Sequence, residues 1–112
     1  MIYHIVSKSD WTAVGESAYY CGENLDTEGF IHCSTIEQVP DTANYLFMGR
    51  QDLVLLQIDE SKLKSELKYE DAGDGCLFPH IYGPMEVDAV VTVADFPPNP
   101  DGTFELPEEY KV

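Results

Sequence analysis

"DLVLLQID", residues Asp52 to Asp59, is the most apolar short run in the chain. Leu53 to Leu56 run without a polar break, which predicts a central strand buried on both faces. Upstream, "IYHIV" (Ile2 to Val6) reads as a first strand. Downstream, "ELKYED" (Glu66 to Asp71) has the mixed polarity of an edge strand. "VDAVVTVA" (Val87 to Ala94) alternates so that Val87, Ala89, Val91 and Val93 share one half-buried face. Strands and helices do not alternate regularly enough for a doubly wound parallel sheet. The fold class expected is therefore α+β, with mostly antiparallel strands in a single domain over 1–112.

Ser7 or Ser9 caps a short helix carrying Trp11 and Val14 and ending near Gly15. Tyr19 and Tyr20 fit a short strand, and "FIHC" (Phe30 to Cys33) a strand of four residues after Gly29. "STIE" (Ser34 to Glu37) has the form of a capping box. Ile36, Val39, Ala43, Leu46 and Phe47 then fall on one helical face. Pro40 requires either a kink or a separate first turn. Gly73 to Gly75 signals a loop, and the acidic, proline-rich tail is ordered where Phe96 and Phe104 pack.

Twenty-one acids against six bases give a formal net charge of −15, and Arg50 is the only arginine. Duplex nucleic acid and anionic membrane are held chiefly by Lys and Arg, so neither partner is expected. No apolar stretch approaches the ~20 residues of a membrane span, and "MIYHIVSKSD" has no basic leader. A cytosolic location is the expectation. Cys21, Cys33 and Cys76 are odd in number and widely spaced, which predicts neither disulfides nor a metal site.

All three histidines, His4, His32 and His80, sit beside aromatic residues in strand-like runs. A lone histidine so placed is ordinarily a hydrogen-bonded core residue; three of them raise the case for a shared cleft. On strand parity His32 shares a face with Phe30 and Ser34, and His80 with Tyr82. If the first strand adjoins "FIHC", His4 and His32 come within reach on one face. Ser34 opens the following helix, whose first amides suit a phosphate or carboxylate. Tyr82 can donate to a ligand or cap the core.

"IYHI", "EGFIHCS", "DLVLLQID", "YED" and "LFPHIYGPM" followed by "DAVVTV" resemble, in order, the landmarks of domain-of-unknown-function family 952 of bacteria and plants. That family is grouped with the ADP-ribosyltransferase-like fold, near the tRNA 2′-phosphotransferases. The resemblance implies two short sheets around a cleft for NAD or an ADP-ribosylated intermediate. It also implies that His4 and His32 are the cleft histidines of that branch, with His80 and Tyr82 as this family's own motif. Glu70 is the candidate for the transferase glutamate. The phosphotransferases grip RNA phosphate with several arginines, where this chain has only Arg50. A smaller nucleotide is therefore the expected ligand, with NAD the candidate cofactor.

The expected site then comprises His32, His80 and Tyr82 as catalytic groups and His4, His32 and Ser34 as binding groups. The competing reading is a non-catalytic binding or interaction module whose histidines satisfy the core. The sequence does not specify an oligomeric state.

Overall fold

In chain order the elements are β1 (Ile2–Ser7), α1 (Lys8–Val14), β2 (Tyr19–Tyr20), α2 (Leu25–Glu28), β3 (Ile31–His32) and α3 (Val39–Leu46). They continue with β4 (Leu53–Ile58), β5 (Glu66–Asp71), β6 (Leu77–Tyr82), β7 (Met85–Glu86) and β8 (Val90–Asp95). The structure, a computed structural model, describes residues 1–22, 25–71 and 75–110. Of the loop expected at Gly73 to Gly75, the first two residues lie outside the described residues.

β4 is the middle strand of an antiparallel sheet ordered β1-β4-β8, and both Leu55 and Leu56 are fully buried. One face of this sheet, through Ile2, Val6, Val54, Leu56 and Ile58, packs on Ile31, Cys33, Ile81 and Met85. The other, through Tyr3, Ile5, Leu53 and Leu55, packs on Val39, Ala43, Phe96, Phe104 and Tyr110. A continuous apolar run is what a strand covered on both sides requires. A second antiparallel sheet has the order β3-β6-β5, and β2 pairs with β7 in a two-stranded ribbon. The fold is α+β, as expected, with the ribbon added to two three-stranded sheets. No helix among the described residues is long and apolar enough to cross a membrane.

Several local expectations are corrected. The strand expected at Phe30 to Cys33 is regular only at Ile31–His32, and Ser34 instead forms a bridge to Tyr3 that ties the second sheet to β1. Ser34 is not the helix cap. The cap is Thr35, whose N–H donates to the Gln38 side chain at 2.9 Å. Pro40 is accommodated by a separate first turn: a 3-10 helix at Ile36–Gln38 precedes α3, which has proline in its opening turn. Leu46 departs from the buried helical face and is exposed.

Val91 and Val93 are also about half exposed, at 48% and 47%. The run Val87 to Ala94 is not one strand: Val87–Ala89 is a 3-10 turn, and the β4–β8 register slips between Gln57 and Ile58. That slip breaks the alternation, and Ala94 becomes the buried residue of β8.

Ser7 caps α1 by accepting from the Asp10 N–H at 3.1 Å, and Gly15 ends it at positive φ. After β6, Gly83 has φ 149°, and a Cβ there would lie 2.5 Å from Ser65 Oγ. That hydroxyl is already donated to the Pro84 carbonyl at 2.7 Å. Gly83→Ala therefore costs about 1–3 kcal/mol of stability, read from the denaturant midpoint.

Candidate functional site

Pairing in the second sheet assembles the site. His32 lies opposite His80 across β3 and β6, and Glu70 opposite Phe78 across β5 and β6. Residues paired across strands share a face, and alternation adds Tyr82 and Phe30 to the same side. The apolar residues between them, Ile31 and Ile81, turn inward and are buried. One face thus anchors the sheet to the core while the other is free for chemistry.

On that free face each imidazole has its own carboxylate. His32 Nε2 lies 2.8 Å from Glu28 Oε2, and His80 Nδ1 lies 3.0 Å from Glu70 Oε1. The Tyr82 hydroxyl donates to the same Glu70 oxygen. The two imidazoles meet edge to face, with centroids 5.2 Å apart and planes at 75°. Phe30 stacks on His80 at 4.2 Å and leans on Tyr82 at 5.2 Å. The Tyr82 hydroxyl, and then His80, hold the Glu70 carboxyl below its ordinary range; the same bond raises the Tyr82 phenol. A carboxylate at Nδ1 keeps the proton there in neutral His80 and leaves the Nε2 lone pair for a partner.

His4 does not join this cluster. The Tyr3–Ser34 bridge sets His4 opposite Cys33 rather than His32, so the His4 and His32 rings take opposite sides. His4 Nδ1 contacts the His32 carbonyl oxygen at 2.5 Å, and Nε2 bonds the Tyr20 hydroxyl at 2.9 Å. Both nitrogens are occupied by protein, and burial lowers its pKa to about 4. Ser34 is likewise engaged: its backbone exchanges two bonds with Tyr3, at 2.8 and 2.7 Å, and its buried hydroxyl donates to Thr42 at 3.4 Å. Both residues border the cleft, with the His4 nitrogens and the Ser34 backbone engaged inside the protein. The His32 and His80 rings meet, and His4 borders the same cleft apart from them.

A cleft of about 1320 Å³ opens over this floor. Among the described residues six acids line it: Asp10, Glu28, Glu37, Asp41, Glu70 and Asp71. Arg50 is the one lysine or arginine among the described lining residues, and its guanidinium bonds Asp52 at 3.1 and 2.8 Å. Sequence reasoning passed over Glu28 and Phe30 as functional groups and left Glu70 a candidate. Strand parity does pair Phe30 with His32, but Glu28 and Glu70 come from other elements, and spacing carries no signal for them.

An imidazole backed by a carboxylate can take or give a proton at neutral pH, and the neighbouring phenol can donate to a developing charge. The crystal structure of protein CC0527 from Caulobacter crescentus has the same fold, with 38% identity and a TM-score of 0.84. The match covers 94% of this chain and 93% of that one. The solution NMR structure of CC0527 matches at 37% identity and a TM-score of 0.82, over 96% and 94% of the two chains. No curated protein matches. The family model described as "Protein of unknown function (DUF952)" matches residues 5–93, and the chain belongs to that family.

Proposed function

We propose that the chain acts as one domain, an enzyme for a small nucleotide bound in this cleft. Transfer of ADP-ribose from NAD is the reaction implied by the ADP-ribosyltransferase-like resemblance. The observation that supports it best is the junction at Glu70, whose carboxylate holds both the Tyr82 hydroxyl and His80 Nδ1 on the cleft floor. In this reading the ribosyl–nicotinamide bond breaks, and nicotinamide leaves with the bonding pair. An acceptor hydroxyl forms the new bond to the ribose carbon, and its proton passes to His80 Nε2. The Glu70 carboxylate stabilises the positive charge that develops on the ribose. His32, backed by Glu28, is the second polar group at the ligand. A small ligand is favoured over RNA by the net charge of −15.

Calorimetric titration with NAD and ADP-ribose tests the reading. Saturable binding lost in His80→Gln is the expected result, and no binding of either at millimolar ligand would sink it. The second reading, a non-catalytic binding module, draws on His4, whose two nitrogens are both satisfied by the protein. It predicts ligand binding without turnover.

A further inference from the structure

The cleft's charge runs against its expected ligand. A dinucleotide carries a diphosphate, yet six carboxylates of the described residues line the walls, and the Arg50 guanidinium is held by Asp52. Bringing an anion into such a field is opposed, whereas a cation is drawn in.

Two independent features of the floor favour the same sign. The His80 side chain is only 10% exposed, and its Nδ1 is taken by Glu70. Its Nε2 bonds no described residue, so a nine-tenths buried ring presents an acceptor to the cleft. The groups around it are Glu70 and Lys68 from β5, Tyr82 from its own strand, and His32 with its Glu28. Secondly, the Tyr82 ring suits an ammonium: Lys68 Nζ lies 4.8 Å from its centroid, and a cationic ligand there would displace that flexible, half-exposed side chain. Phe30, stacked on His80, extends that aromatic surface. Aromatic faces, carboxylates and an imidazole acceptor together match a flat or compact cation that carries N–H donors.

We infer that the part of the ligand seated on this floor is an organic cation, either a protonated amine or a positively charged nitrogen ring. The inference rests on the reading of the cleft as a ligand site. It also directs that reading: the nicotinamide ring of NAD bears a positive charge, and the ADP-ribose left after its departure does not. The cationic end belongs over Tyr82 and His80, with any diphosphate kept toward solvent.

One ring in three charge states is the direct probe. Benzylammonium, benzyl alcohol and benzoate are titrated by NMR into the full chain at low and at physiological ionic strength. Benzylammonium should bind on the order of tenfold tighter than the alcohol, with shifts at Tyr82 and Phe30, and lose most of that advantage as salt is raised. Benzoate should bind weakest. Glu70→Gln should reduce the preference. Glu37→Lys, at an exposed position on the rim, should reduce it without disturbing the floor. Equal or tighter binding of the alcohol or the benzoate overturns the inference, and so does no binding of benzylammonium. The nucleotide reading is separable. ADP-ribose binding as tightly as NAD would overturn the cation inference and leave the nucleotide site standing. Benzylammonium binding with neither nucleotide bound would do the reverse.

Discussion

Acidification from neutrality to about pH 4 should remove on the order of 3 kcal/mol of folding stability through His4 alone. The unfolded imidazole takes a proton near 6.5, while burial holds the folded one at about 4. Above 6.5 both states are neutral and the contribution is fully present. Below it the unfolded state binds the proton first, so stability falls until pH drops through the folded value. Burial keeps the folded ring neutral against the His32 carbonyl bond, which favours the charged form; the ring ties β1 to that carbonyl on one side and to the Tyr20 hydroxyl on the other. His4→Phe cannot take up a proton, although losing those bonds makes it less stable at neutral pH, by about 1–3 kcal/mol. Carboxylate protonation over the same range relieves self-repulsion in both proteins, so the difference between them isolates His4. Urea midpoints measured across the range should converge as pH falls. Parallel profiles would remove His4 from the account.

The larger effect on activity is expected at His80. His80→Gln should lower turnover with NAD by about 10²- to 10⁴-fold, the usual worth of a positioned general acid or base. Glutamine retains bulk and hydrogen bonding but cannot exchange a proton. Glu70→Gln should act through the same ring, altering the pH profile of the rate more than KM, because the carboxylate keeps the Nδ1 proton in place. Added imidazole should partly restore His80→Gln and leave Glu70→Gln unchanged. A normal rate in folded His80→Gln would remove proton transfer by this residue from the mechanism.

The parts legible in the sequence are those fixed by local pattern. The apolar run of β4, the cap at Ser7, and the shared parity of His80 with Tyr82 each depend on neighbours a few residues away. What escaped depends on register between distant strands. Strand parity alone makes His4 and His32 look like partners if the two strands adjoin. The bridge from Tyr3 to Ser34 shifts that alignment by one residue, which sends the rings to opposite sides. Val91 and Val93 misled for a similar reason, since the slip at Gln57 and Ile58 cannot be read from β8 alone. Glu70 reaches His80 and Tyr82 only through the β5–β6 pairing. The direction of the cleft's charge, by contrast, was visible in composition, although composition could not say that six acids would gather there.

The exposed valines of β8 have a consequence for how copies of the molecule treat one another. β8 is an edge of its sheet, and with Val91 and Val93 turned outward it could serve as a template for another strand. Asp95 at its end and the overall charge of −15 oppose that approach by repulsion over roughly the Debye length. Colloidal stability therefore rests on ionised carboxylates. Near the isoelectric point of about 4.1 that protection vanishes just as β8 stays apolar, and the native protein becomes self-adhesive.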